Sequence, residues 1–97
     1  MRHFSDRELE LLAMHYIGQS SQPDMPYCRV SDVSRYINVS KPTAHKLVLR
    51  LVGSGEIVAG WEKNRIVLWC ENPPKVGEIS HLIVRNLNIK MDKGMYK

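Results

Sequence analysis

The sequence predicts an α+β domain, mainly helical, in which two helices joined by a tight turn run into a β-hairpin and a further helix closes the chain. Three observations carry this. Residues 31–58, SDVSRYINVSKPTAHKLVLRLVGSGEIV, set the cap, stripe and stop signals of two consecutive helices around Asn38. EIVAGW (56–61) and RIVLWC (65–70) are rich in β-branched and aromatic residues and are separated by a polar turn. Asn72-Pro73-Pro74 then breaks the chain ahead of VGEISHLIVRNLN, where apolar residues return at helical spacing.

The first helix starts at Ser5. Ser5-Asp6-Arg7-Glu8 is a capping box, and Phe4 before the cap can staple against Leu9. Leu9, Leu12, Ala13, Tyr16 and Ile17 form its core stripe, and Gly18 is read as its stop. Leu11 and Met14 fall outside that stripe and widen the apolar surface, either for a second local contact or for a dimer interface. GQSSQPDMP (18–26) is a polar connector, and YCRV (27–30) reads as a short strand leading to Ser31.

Ser31 is placed to cap the second helix, whose apolar positions are Val33, Tyr36 and Ile37. Asn38 stands where the chain must reverse, and Asn tolerates the left-handed conformation of such a turn. Ser40 is the next cap, and Pro42 lies in the first helical turn, where its missing N–H costs little. Ala44, Leu47, Val48, Leu51 and Val52 then mark one buried stripe, and Gly53 and Gly55 end the helix. At 100° per residue, Pro42, Thr43, Lys46, Leu49 and Arg50 lie opposite the stripe, with His45 on the flank and Lys41 in the first turn. The outer face therefore carries Lys41, Lys46 and Arg50 and no acid. A solvated face of an ordinary helix would mix both signs.

The two strand-like segments pair around Glu62-Lys63-Asn64-Arg65, presenting Lys63, Asn64 and Arg65 at the tip, where they suit phosphates or a minor groove. Trp61 and Trp69 flank the hairpin and are read as packing residues rather than base-stacking platforms. In the last helix, about 76–88, Ile79, Leu82, Ile83 and Leu87 share a face, and a basic tail follows.

Charge agrees with this layout. Residues 1–30 carry Arg2, Arg7 and Arg29 against Asp6, Glu8, Glu10 and Asp24, whereas 31–70 carry six cations against Asp32, Glu56 and Glu62. The formal surplus of +4 arises where the paired helices begin, which is the footprint expected for a polyanion partner. Ninety-seven residues (1–97) make one domain, with the helix pair at 31–53 and the hairpin at 56–70. No segment has the apolar length of a membrane span and MRHFSDRELELL is not a signal peptide, so the expected location is cytoplasmic.

Cys28 and Cys70 form no CxxC. Two reduced, partly buried thiols are one reading; a disulfide between neighbouring strands is the other. His3, His15, His45 and His81 show no ligand spacing, and no metal or cofactor is expected. No nucleophile–base arrangement, paired carboxylates or phosphate loop is visible, so an enzyme is not expected.

Residues 31–70, through "DV..YI.VS" and "PTAHKLVLRLVGSGEI", resemble the winged helix-turn-helix transcriptional regulators of bacteria, archaea and their mobile elements. The layout is similar to MarR-like and Rrf2-like regulators, and NPPKVGEISHLI resembles the entry to an Rrf2-like dimerisation helix. The resemblance implies a three-helix core with a small sheet and a β-hairpin wing. It places Ser40, Lys41, Thr43, His45 and Lys46 on the recognition helix and Lys63 to Arg65 on the wing. No three-cysteine cluster is present, so an iron–sulfur sensor is not implied. The expected function is sequence-specific binding of double-stranded DNA by a homodimer, built from the first and last helices, that regulates transcription. The alternative is a winged-helix protein–protein interaction module within a larger complex.

Overall fold

The structure is a computed structural model that describes residues 4–20 and 28–92. Its elements run α1 (Asp6–Ser20), α2 (Val30–Ile37), α3 (Lys41–Gly53), β1 (Val58–Glu62), β2 (Arg65–Trp69) and α4 (Val76–Asp92). The fold class is α+β, mainly helical, with one two-stranded antiparallel sheet among the described residues. This order is compatible with a winged-helix arrangement.

The capping box of α1 forms as its residues require. The Ser5 N–H donates to Glu8 Oε1 at 2.8 Å and the Glu8 N–H to Ser5 Oγ at 3.1 Å, which satisfies two of the donors a helix start leaves free. Gly18 does not stop the helix, which runs on to Ser20. A Cβ on Gly18 would stand 2.6 Å from Pro73 Cβ, so this glycine admits the Pro73 ring against α1. Leu12, Ala13 and Ile17 are fully buried. Met14, read from the sequence as surplus apolar surface, is also buried, and Leu11 packs partly buried on the same core. Helices on more than one side of α1 make its buried arc wider than a single stripe.

The second helix begins two residues earlier than expected. Ser31 is not its cap: Arg29 holds the extended cap conformation, and the Asp32 carboxylate accepts the Arg29 N–H at 3.0 Å. YCRV does not form a strand. Tyr27 lies outside the described residues, Cys28 makes one antiparallel bridge to Leu68, and Val30 is already helical. The connector at 21–26 and the tail from 93 also lie outside the described residues. Asn38 is left-handed at φ 57°, as a tight reversal needs. Ala44, Leu47, Val48 and Leu51 of α3 are then buried against α1 and α2. Each of these leucine and valine side chains contributes about 1.5–3 kcal/mol by leaving water.

The strands are shorter than the apolar runs and shifted within them: β1 covers 58–62 rather than 56–61, and β2 ends at Trp69 rather than Cys70. Ile57 and Cys70, left outside the ladder, are buried. The register pairs Ala59 with Leu68, Trp61 with Ile66 and Glu62 with Arg65. With Cys28 bridged to Leu68, β2 lies between β1 and the segment entering α2. Cys28 and Cys70 are free, buried thiols rather than a disulfide. Burial pushes the Cys28 thiol up to about 12 and raises that of Cys70 as well.

The last helix extends to Asp92, beyond the expected 88. Ile79 and Leu82 are buried, but Leu87 is not on the core face: it is half-exposed, and Asn86 points inward at 2% exposure. The Asn86 side-chain amide donates to the Tyr36 carbonyl at 2.9 Å, pinning α4 to the end of α2. Tyr36 stacks on Tyr16 at 4.5 Å between ring centres, with Lys90 over its ring at 4.4 Å.

Candidate nucleic-acid interface

The outward face of α3 is set by its inward one. Burying Ala44, Leu47, Val48 and Leu51 leaves Lys41, Pro42, Thr43, His45, Lys46, Leu49 and Arg50 exposed. Ser40 fixes the start of this face. Its hydroxyl oxygen accepts the Thr43 N–H at 3.3 Å and its O–H donates to Thr43 Oγ1 at 2.9 Å. The Thr43 hydroxyl proton stays available for a ligand acceptor.

The three cations of this face are not equivalent. Among the described residues no acid pairs with Lys41 or Lys46. Arg50 is held: its Nε donates to Glu10 Oε2 at 3.2 Å across the α1–α3 contact. Glu10 also receives Arg7, and Arg7 grips Glu56 through two hydrogen bonds of 3.0 and 2.8 Å. Hydrogen bonds donated by Arg7 first, and then by Ser54, hold the Glu56 carboxyl below its ordinary range; those that Arg7 donates to Glu56 and Glu10 hold its own guanidinium above its ordinary value. The sequence showed a face without acid because Glu10 lies 40 residues away in the chain.

The hairpin tip is a two-residue turn with Lys63 at φ 50° and Asn64 at φ 64°. Lys63, Asn64 and Arg65 are all exposed. Lys63 and Arg65 line a cleft of about 280 Å³ together with Arg29, Glu62 and Val67, so the cationic tip reaches back to the start of α2. Arg29 was not among the expected site residues. Its role depends on the bridge from Cys28 to Leu68, a long-range pairing with no local sequence signal.

The two tryptophans separate. Trp69 is half-buried and lies on the backbone at Gly60, where a Cβ would stand 2.8 Å from its ring. Trp61 is 74% exposed and lies outside the buried core cluster, so it is not the packing residue expected from the sequence. The cause is its place in the register. Its partner Ile66 is one step from the turn, already beyond the reach of the core at Leu68.

Among the described residues no group of three or more His, Cys, Asp or Glu side chains could hold a metal ion, and no helix is long and apolar enough to cross a membrane. Compared with family models, curated proteins and solved structures, the chain matches none.

Proposed function

We propose that this chain is a winged helix-turn-helix protein that binds double-stranded DNA sequence-specifically and regulates transcription as a homodimer. The observation that carries the reading is the outer face of α3. It is capped by Ser40, offers Lys41, Thr43, His45 and Lys46 to solvent, and has no pairing acid at either lysine among the described residues. A helix of 13 residues is about 20 Å long and fits the B-form major groove, with its first turn at the base edges. Lys63, Asn64 and Arg65 would then lie along the backbone or minor groove beside it.

The homodimer rests on α4. Val76, Val84 and Leu87 are 57%, 56% and 47% exposed and share one stripe of that helix. Met14, which the sequence offers to the same patch, is covered within the chain, so the dimer contact narrows from the first and last helices to the outer stripe of α4. A two-fold axis there would set two α3 helices on half-sites about 34 Å apart.

Selection of bound DNA from a random pool tests both parts. The expected result is a palindromic consensus, and the Lys41, Thr43, Lys46 triple alanine variant, folded by circular dichroism, should lose binding to it. Normal binding by that variant would remove α3 from the interface. A non-palindromic half-site with a monomer in sedimentation would remove the dimer. The second reading, a protein–protein module, is favoured by Leu49 at 56% and Trp61 at 74% exposure. It predicts no selectable DNA.

A further inference from the structure

The exposed tryptophan on the hairpin has no role in groove reading by α3. We propose that Trp61 is a stacking platform for an unpaired base, so that the protein favours DNA with locally opened base pairs over perfect duplex. The inference rests on the DNA-binding reading and specifies which state of the DNA the hairpin takes.

Trp61 is 74% exposed on a strand whose neighbour Leu68 is fully buried. The strand rise of about 3.3 Å per residue sets the Trp61–Ile66 pair about 7 Å beyond Leu68, toward the turn. Its cross-strand partner Ile66 is itself 37% exposed, and the indole keeps most of its surface in solvent. A tryptophan so placed forgoes most of the apolar burial that a core position would give it. An aromatic face that remains open at a binding element suits a π-partner.

Charge decides what kind of partner. Trp61 and Ile66 share one face of the hairpin, and Glu62 and Arg65 share the other. The second face opens on the cleft lined by Arg29, Lys63 and Arg65, with Glu62 the one acid of its lining among the described residues. An aromatic surface on one side and three cations on the other match a strand whose base stacks while its phosphates run along the cations. The turn holds the two faces in fixed relation, because consecutive left-handed residues at Lys63 and Asn64 leave no slack in the loop.

The test compares the selected duplex with the same duplex carrying a two-nucleotide bubble beside the half-site, on the wing side. Affinity is read by anisotropy and indole emission by fluorescence. The wild-type chain should bind the bubble roughly tenfold more tightly, the ratio expected for one stacked base, with quenching of tryptophan emission. Trp61→Phe should keep most of that preference. Trp61→Ala should bind both DNAs alike with no loss of duplex affinity and little quenching. Equal wild-type affinity for duplex and bubble, unchanged in Trp61→Ala, would overturn the stacking proposal while leaving DNA recognition by α3 intact. Failure of the wild-type chain to bind either DNA at low salt would overturn both, and would leave Trp61 as an anchor for a protein partner.

Discussion

Lys63 and Asn64 occupy consecutive left-handed positions, a turn whose twist matches the strands it joins. Asn and Gly are the usual residues at its first position; a lysine there holds a backbone conformation that costs L-residues about 1–2 kcal/mol. On the proposed DNA-binding reading, a cation at the hairpin tip is a physical reason to accept that strain. Lys63→Asn should therefore raise the melting temperature by roughly 3–6 °C, from about 0.5–1 kcal/mol of relieved strain. The same variant should weaken DNA binding and flatten the salt dependence by about one charge. Calorimetry and a salt titration read the two effects separately; an unchanged affinity and salt slope would place the tip away from phosphate. Asn86 shows a different residue-scale compromise. It occupies a core position of α4, bonds the Tyr36 carbonyl with one amide hydrogen, and leaves its side-chain oxygen without a protein partner among the described residues.

At the scale of elements, α1 restrains α3 through Glu10. Its carboxylate, 15% exposed, sits between Arg7 and Arg50, whose side chains are about half in solvent. Pairs of that exposure contribute about 0–1 kcal/mol each, so the bridge matters little for stability. It matters more for charge, because it cancels one of the three cations on the outer face of α3. Glu10→Gln should leave melting almost unchanged, increase DNA affinity several-fold and steepen the salt slope by about one as Arg50 is released to a phosphate. An affinity that does not change would mean that Arg50 lies outside the contact. The start of α2 carries a second such coupling. The Cys28–Leu68 bridge brings Arg29 to the cleft at the hairpin, so the segment that opens one helix also completes the cationic surface of the sheet.

At the scale of the whole molecule, stability should fall in two steps as pH falls. Burial lowers the pKa of His15 below its ordinary 6.5, so the folded chain holds this ring neutral while the unfolded chain takes up a proton. That contribution is present above pH 6.5 and is lost as pH falls from there toward the folded value. Glu56, held low by Arg7, and Glu8, held low by the Ser5 backbone N–H, are depressed from an ordinary 4.5. Their contribution is present above pH 4.5 and is lost below it. Melting followed from pH 7 to pH 3 should show both steps, with His15→Leu removing the upper one and Glu56→Gln reducing the lower one. A flat profile down to pH 5 in the unaltered chain would show that His15 protonates freely in the fold.

The sequence by itself determined the local events: the Ser5 and Ser40 caps, the reversal at Asn38, the stripe of α3, the position of the hairpin turn at 62–65 and the break before α4. Each depends on residues within one or two helical turns or across one hairpin, where capping, periodicity and turn chemistry act without help from the rest of the chain. It therefore also determined which residues of α3 face outward. What only the tertiary structure decided depends on segments far apart in sequence. Met14 became core and Leu87 became surface because the packing of α1 and α4 selects which arc of each helix is covered. Gly18 looked like a stop and is a contact with Pro73, a steric demand visible only once α1 and the segment before α4 meet. Arg50 lost its free charge to Glu10, Arg29 joined the cleft, and Trp61 was left in solvent past the end of the core. Burial and ion pairing are properties of neighbourhoods in space, and a periodic pattern specifies a face without specifying what comes to cover it.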